Sequence, residues 1–142
     1  MSDPALAVQN AVEAALRASN ALKAAMGLTN VRLYTLAPPD GAPFPYLVIG
    51  EDQVIGDETE CSAGSDVITT VHVWSRVEDD VSASRAQAKQ IAGVVRTVIG
   101  RTLNVVGFDL VECRFEDARH LTDPDRRTAH SIVTHRLQLE PN

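Results

Sequence analysis

Apolar residues recur at helical spacing near the start of the chain. Asp3-Pro4 places an N-cap residue before a proline at the first helical position, and Gly27 is a plausible helix stop. The apolar positions between them are Ala5, Val8, Val12, Ala15, Leu16, Leu22 and Met26. The pattern predicts one Ala-rich helix whose flat apolar face lets a sheet approach closely.

A second helical pattern lies in the middle of the chain. Glu78-Asp79-Asp80 supplies negative charge next to the positive end of the helix dipole, and Ser84 and Gln87 have capping-box spacing. The apolar stripe consists of Ala88, Ile91, Val94, Val95, Val98 and Ile99. The pattern predicts a second helix that Gly100 ends.

Alternating apolar and polar positions predict strands, most clearly over residues 66–77. There Val67, Thr69, Val71 and Val73 share one face, and Ile68, Thr70, His72, Trp74 and Arg76 share the other. The further predicted strands cover 31–36, 46–55, 102–106, 108–121 and 130–139. Because residues 122–126 form a turn signal, the last two strands are expected to form a hairpin.

Two segments between strands predict loops. Four prolines among residues 37–45 exclude a helix or a central strand and predict a stiff surface loop that carries Phe44. Residues 56–65 are acidic and rich in turn residues, which predicts a mobile loop. The whole order predicts one α+β domain over 1–142, a mostly antiparallel sheet with two helices packed on one face.

The composition is that of one globular domain. The chain has 142 residues, 44% of them hydrophobic, and its 19 Asp and Glu against 13 Lys and Arg give a formal net charge of −6. This balance argues against a protein dedicated to duplex DNA, because such proteins gather basic residues to neutralise phosphates. No apolar run approaches the roughly 20 residues that span a bilayer, and the acidic start is unlike a signal peptide.

Candidate chemistry is sparse among the cysteines. Cys61 and Cys113 lie far apart without a CxxC pair, which fits free thiols in a reducing compartment and leaves one optional disulfide open. Acidic neighbours of Cys61 would raise its thiol pKa, the opposite of what a nucleophile needs. Cys113 shares a strand face with Val111 and Phe115, so we expect it to be a small buried apolar residue.

The histidines and carboxylates predict no catalytic site. His130 and His135 are five residues apart on one strand and therefore point to opposite faces, whereas a zinc site needs about four converging ligands. The sequence contains no G-x-S-x-G elbow and no phosphate-binding glycine loop, and paired carboxylates such as Asp79-Asp80 fall in turns and caps. We expect no enzyme, no cofactor, no metal ion and no catalytic residue.

His72 and Trp74 lie two residues apart on the second face of the clearest strand. If the helices cover the valine face, this second face needs another partner, which is a neighbouring subunit, a loop of the same chain or solvent. Trp and Arg dominate interface energetics, so an interface is one interpretation, and packing of Trp74 beneath the proline-rich loop is the other.

Several segments in order resemble the tail completion, or tail terminator, family of long-tailed double-stranded DNA phages. The segments are MSDPAL at 1–6, VRLY at 31–34, the proline-rich loop, FPYLVIGEDQ at 44–53, VHVWSR at 71–76, AKQIAG at 88–93, FEDAR at 115–119 and DPD at 123–125 before His130. The similarity covers about residues 3–140 and depends on the order and spacing of these segments.

The resemblance implies a structural virion protein in the neck of a phage or of a phage-like gene transfer particle, assembled in the bacterial cytoplasm. Members of such families form a hexameric ring on the head-proximal end of the tail tube, which ends tube polymerisation and joins the tail to the head connector. The implied partners are copies of the chain, the major tail tube protein and a head-closure or connector protein. DNA would pass through the lumen without sequence-specific binding, and no membrane is involved.

The residues themselves agree with such a ring. A loop fixed by prolines loses little entropy on docking, and acidic residues at 57–60 either repel DNA along a lumen or form an ordinary solvated loop. The residues expected to meet partner chains are Pro38, Pro39, Phe44, Glu58, Glu60, His72, Trp74, Arg76, Asp123, Arg126 and Arg127.

Two other functions stay open. A different neck component or a tail-tube protein would share the fold, and a tube protein would polymerise into long tubes. A small enzyme or ligand-binding domain would use Cys61, His72 or His130, and stoichiometric zinc or a thiol with a strongly lowered pKa would identify it.

Overall fold

The computed structural model describes residues 3–35, 37–59 and 62–142. The helices are α1 (Pro4–Ala18), α2 (Asn20–Met26) and α3 (Val81–Val98), and the strands are β1 (Leu33–Tyr34), β2 (Tyr46–Thr59), β3 (Ser62–Ser75), β4 (Phe108–Thr122) and β5 (Ala129–Pro141). The strands form one sheet in the order β1-β2-β3-β5-β4, and among them β1 alone runs parallel to its neighbour. The predicted α+β class and mostly antiparallel sheet are confirmed.

The first predicted helix is two helices, because Ser19 interrupts it. Asp3 caps α1 by accepting a hydrogen bond from the backbone N–H of Ala5 at 2.7 Å, and Gly27 ends α2 with a φ of 69°, both as predicted. Ser19 has an extended backbone, and its Oγ accepts from the N–H of Leu22 at 3.1 Å. A serine side chain that caps a new helix competes with continuation of the old one, and the helical layer therefore has three members.

All three helices lie on one face of the sheet, where the main core sits. The valine face of β3 packs against them, with Val67, Val71 and Val73 each at 0% exposure, and Val133 and Leu137 of β5 are also fully buried. The helices contribute Val8, Val12, Leu16, Leu22, Ala88, Ile91 and Val95 to the same core. Burying each of the larger side chains stabilises the fold by about 1.5–3 kcal/mol, so the period-two pattern fixes which face the helices cover.

The predicted acidic loop is wrong over most of its length, because the segment extends a β-ribbon. The ladder between β2 and β3 continues from Gly56↔Ser65 to Thr59↔Ser62 without a shift. Charged and turn-prone residues indicate that a segment is exposed to solvent, but they do not determine its backbone conformation. Here the partner strand supplies the backbone hydrogen bonds that make the segment a strand. Glu60 and Cys61 lie outside the described residues; Glu58 belongs to β2, and its side chain is not described.

Two further predictions around α3 are wrong. The N-cap is Asp80, whose carboxylate accepts from the N–H of Ala83 at 3.0 Å, whereas Ser84 lies inside the helix at 0% exposure and accepts from the N–H of Val77. Residues 102–106 form a loop instead of a strand, because Leu103 packs into the core without a ladder partner. No helix in the described ranges is long and apolar enough to cross a membrane.

The outer strand β4 contains two bulges. The register shifts between Leu110 and Glu112 and again between Phe115 and Asp117. The first bulge turns Val111 outward to 45% exposure, so the prediction that it shares the inner face of Cys113 is wrong. Bulges and charged side chains blunt an edge strand against uncontrolled pairing.

Candidate functional site

The face of the sheet opposite the helices is not covered by another layer of the described chain. On β3 it carries Ile68, Thr70, His72 and Trp74, which are half-buried except for the more buried Thr70. These side chains alternate with the fully buried valines, as predicted. We call this surface the open face; its partly buried side chains pack on neighbouring strands within the same face.

An aromatic row crosses the open face, and consists of Phe44, Tyr46, Trp74, His130 and His72. The ladder places Tyr46 beside Trp74 and Trp74 beside His130. The rings of Trp74 and His130 stack at 3.7 Å between centroids with an angle of 11°, and Tyr46 follows at 6.5 Å from Trp74. Phe44 reaches the row from the proline-rich loop at 5.2 Å from Tyr46. The row therefore ties one loop and three strands together.

The two histidines of the row form a direct contact. Nδ1 of His72 lies 2.7 Å from Nε2 of His130, so one nitrogen donates to the other, and Nε2 of His72 lies 3.4 Å from a carboxylate oxygen of Glu51. Burial, followed by the neighbouring charge of His72, lowers the pKa of His130 to about 4. A hydrogen bond from its own backbone, with a further contribution from His72, lowers the pKa of Glu51. His130 is therefore neutral near pH 7 while Glu51 is ionised.

Gly50 explains how the ring of His72 can lie against β2. A Cβ at position 50 would overlap Cδ2 and Nε2 of His72 and would come within 2.9 Å of Oγ1 of Thr70. The position follows Ile49, where the register between β2 and β3 shifts. A residue without a side chain is needed here because the imidazole occupies its space.

Arg76 joins the proline-rich loop to the turn between β4 and β5. Its guanidinium carbon lies 4.7 Å above the centre of the Phe44 ring, and its nitrogens donate to Asp125 at 3.0 Å and to Oγ1 of Thr128 at 2.8 Å. The proline-rich loop is also held by Arg32, which donates to the carbonyl oxygens of Pro43 and Pro45 at 2.9 and 3.0 Å. Three segments that are distant in sequence thus form one junction.

The turn at 123–128 is held by its own side chains. The hydroxyl of Thr128 donates to Asp125 at 2.6 Å, and this bond, with the backbone N–H of Arg127, holds the pKa of Asp125 far below its ordinary value. Burial, with the nearby charge of Asp125, raises the pKa of Asp123. Arg126 has a φ of 62°, and Arg127 pairs with Asp79 at 3.1 Å. The turn is therefore a preformed surface feature.

The structure brings together only part of the predicted interface set. Six of the predicted residues lie at the end of the sheet that includes the Arg76 junction: Phe44, His72, Trp74, Arg76, Asp123 and Arg127. Pro38 is half-buried and Pro39 exposed in the loop beside them, and Arg126 is exposed at the turn. Glu58 lies 12 residues along β2 from Tyr46, about 40 Å away. The predicted set is therefore split between the two ends of one sheet.

Sequence reasoning missed Tyr46, Gly50 and the pairing of His130 with Trp74. The alternation of each strand identifies which residues share a face, and His130 and His135 do lie on opposite faces as predicted. The register between strands is set by non-local packing, so periodicity alone does not bring Tyr46, Trp74 and His130 into one row.

The remaining titratable groups do not form a metal centre within the residues described. No group of three or more His, Cys, Asp and Glu side chains there could hold a metal ion. Cys113 is half-buried, and burial raises its pKa, which disfavours the reactive thiolate. His135 is buried beneath α3, where Nε2 lies 3.2 Å from the carbonyl oxygen of Arg96, and burial lowers its pKa.

Comparisons with known proteins point to a tail component. The profile of a family described as "Tail completion protein gp17" matches residues 10–140. The tail completion protein gp17 of Bacillus phage SPP1 is 30% identical over 113 residues, which cover 79% of this chain and 80% of that protein. The solved structure of gp17 from bacteriophage SPP1 is 26% identical, with a TM-score of 0.58 over 94% of this chain and 88% of that chain.

A chain in the structure of the virion of a native gene transfer agent particle shares the fold. Its TM-score is 0.82, with 24% identity, and the alignment covers 99% of both chains. The long β-ribbon and the single helical layer are thus part of an architecture that also occurs in an assembled particle.

Proposed function

The chain belongs to the tail completion protein gp17 family, whose members are structural proteins of phage virions, and from this premise we propose that it forms a ring on the head-proximal end of a tail tube. The ring ends tube polymerisation and presents the surface on which the head connector docks. It acts as a single domain, and its partners are copies of itself, the tail tube protein and a head-closure or connector protein.

The observation that carries this proposal is the difference between the two ends of the sheet. One end holds the aromatic row and the Arg76 junction, and the other is the acidic β-ribbon of β2 and β3. A terminator must match the tube on one side and offer a different surface on the other, because identical surfaces would allow the tube to continue growing. Two dissimilar ends on one rigid sheet supply that asymmetry.

Ring closure needs a head-to-tail interface, in which two different surfaces of the chain meet. The sheet offers two different edges, because within the described chain β1 covers β2 only at Leu47 and Val48, and β4 is bulged. An obligate ring interface buries on the order of 2,000 Å² or more. In this 15.3 kDa chain the strands β2 and β3 each have 14 residues, so the sheet is long enough to form an interface of that size.

The acidic end of the ribbon suits a position along the lumen. The last part of β2 carries Asp57 and Glu58 and no basic residue, and Glu60 follows in sequence. Negative charge facing a passing duplex repels its phosphates and keeps it from adhering. The interface residues predicted at the other end, Pro38, Pro39, Phe44, Asp123, Arg126 and Arg127, would then contact partner chains.

The alternatives are distinguished by assembly and by chemistry. A tail-tube protein would polymerise alone into long tubes, and a different neck component would leave tube length unchanged. A small enzyme or ligand-binding domain would use Cys61, His72 or His130, and the lowered pKa of His130 makes its imidazole a weak base near pH 7. Stoichiometric zinc or a thiol with a strongly lowered pKa would favour this alternative.

The proposal is tested by adding the purified chain to its tail tube protein. We expect light scattering or negative-stain images to show closed rings, alone or on one end of each tube, and tube length to stop increasing once the rings bind. Particles lacking the chain should have overlong tubes or tails detached from heads. A protein that stays monomeric at high concentration and beside tubes, or that itself forms long tubes, would overturn the proposal.

A further inference from the structure

The charges of the chain are sorted by element. β2 carries four acidic residues, Glu51, Asp52, Asp57 and Glu58, and no basic one. α3 carries three basic residues, Arg85, Lys89 and Arg96, and no acidic one. The formal charges are therefore −4 on β2 and +3 on α3, in a chain whose total is −6. Such separation produces opposite potentials on different parts of one small protein.

β2 and the basic residues of α3 lie in different parts of the molecule. In the order β1-β2-β3-β5-β4, β2 and β4 are three strand spacings apart, about 14 Å. The basic residues of α3 lie beside β4: the guanidinium of Arg96 is 3.9 Å from the centre of the Phe115 ring. Burial, followed by the charges of Lys89 and Arg85, lowers the pKa of His120 on the same strand. Because α3 packs across β3, β5 and β4, the acidic flank is one edge of the sheet and the basic flank is the outer face of the helical layer.

Several charged side chains of the two flanks form no ion pair within the described residues. Among the described residues, Arg85, Lys89 and Asp52 take part in no ion pair, whereas Glu116 of β4 is already paired with Arg114 at 3.1 Å. The side chain of Glu51 contacts His72 and is still 74% exposed. Exposed charges of opposite sign on two surfaces of one molecule are available to pair between molecules.

Each flank also leaves backbone groups or side chains without a partner in the described chain. Past Val48 no described strand pairs with the outer edge of β2, and Val54 on this edge is 45% exposed. On α3, Ser82, Arg85, Ala86 and Lys89 form one exposed stripe at helical spacing. One flank is an unpartnered sheet edge and the other an unpartnered helix face.

We propose that the acidic flank (β2, with Glu51, Asp52 and Val54) of one copy docks on the basic flank (α3, with Arg85 and Lys89) of the next copy. The occupant is a second copy of this chain because a head-to-tail ring joins two different surfaces of the same chain, and this sheet edge and this helix face are different surfaces with complementary charge. This inference rests on the proposed ring and names the contact that closes it.

Charge reversal tests the contact directly. The acidic flank is reversed by Glu51→Lys with Asp52→Lys, and the basic flank by Arg85→Glu with Lys89→Glu. Each variant alone presents two flanks of like charge, so we expect the protein concentration needed for ring formation to rise by about tenfold or more. Mixing the two variants should restore rings, because copies of the two kinds can alternate around a ring of even number. Combining all four changes in one chain should also restore them.

Two controls separate loss of the contact from loss of the fold. Lys23→Glu with Arg101→Glu lowers the net charge as much as reversal of the basic flank does, at residues that belong to neither flank, and should leave ring formation unchanged. Lys89→Gln should weaken the ring less than reversal, and the wild-type ring should weaken as salt rises and shortens the Debye length to about 8 Å at 0.15 M. All variants should keep the wild-type circular dichroism spectrum.

The outcomes distinguish this inference from the function on which it rests. Rings that survive reversal of either flank would overturn the proposed contact and leave the terminator role standing. Reversed variants that fail to recover on mixing or on combination would also overturn it. A wild-type chain that forms no ring even on tail tubes would overturn the ring itself and the contact with it.

Discussion

The indole of Trp74 and the imidazole of His130 stack across two neighbouring strands with their centroids 3.7 Å apart and an angle of 11°. Trp74 belongs to β3 and His130 to the start of β5, and the ladder places them directly opposite each other. The stack lies on the face that the helices leave uncovered, so it holds the strands together where no second layer of the described chain does.

Replacing Trp74 with Ala removes this stack and the contact with Tyr46. Because the indole is half-buried, we expect the free energy of unfolding to fall by about 2–4 kcal/mol, or the ring to dissociate where Trp74 also contacts a neighbour. Denaturant unfolding and light scattering measure the two effects. Trp74→Phe keeps an aromatic face and should lose about half as much stability. A variant with full stability and an intact ring would show that Trp74 is merely an exposed residue.

Acidification should destabilise the fold through His130. Its pKa is lowered to about 4 from an ordinary 6.5, so between these values the unfolded chain binds more protons than the folded one. The stability that neutral His130 supplies is complete above pH 6.5 and is lost as the pH falls toward 4. Discounted for partial exposure, the loss attributable to His130 is on the order of 1–2 kcal/mol.

Equilibrium unfolding at pH 7.5, 5.5 and 4.5 measures this loss. His130→Phe keeps the stack with Trp74 but cannot be protonated, so its stability should fall less steeply with pH than that of the wild type. Buried His135, whose pKa is also lowered, stays in both proteins and cancels in the comparison. Equal slopes for the two proteins would be evidence that His130 carries no pH dependence.

The local pattern of the sequence predicts the helical layer and the buried face of the sheet. It does not predict features that depend on contacts between residues far apart in the sequence. Alternation over 66–77 identifies the valine face, and Asp3 and Gly27 mark helix ends, because these signals depend on a few neighbouring residues. The paired segments 56–59 and 62–65 are predicted as a loop because their ladder depends on a partner strand, and the acidic residues of the sequence indicate only exposure. The Arg76 junction joins positions up to 84 residues apart, which no spacing rule brings together.

Removing the side chain of Arg76 should separate the proline-rich loop from the β4–β5 turn. Arg76→Ala loses the contact with Phe44 and the bonds to Asp125 and Thr128, and we expect a loss of about 1–2 kcal/mol in stability. Hydrogen exchange should rise in residues 37–45 and 123–128 and stay unchanged in α1. Arg76→Lys keeps the charge but not the planar fork, so it should recover only part of the protection. Unchanged exchange in both segments would show that each is held without Arg76.

Gly50 provides a test of how tightly His72 is held. Gly50→Ala would place a methyl group where Cδ2 and Nε2 of His72 lie, and the ring has little room to move because His130 is 2.7 Å away on one side and Glu51 is 3.4 Å away on the other. We expect a loss of about 1–3 kcal/mol in denaturant unfolding, with a changed fluorescence of Trp74, which stacks on His130. Gly56→Ala is the matched control on the same strand, because nothing lies within 4 Å of the added carbon there. That control should be neutral or slightly stabilising, since alanine lowers the entropy of the unfolded chain. If both substitutions have the same effect, the overlap with His72 is relieved by a small shift, and the aromatic row is less rigid than its contacts imply.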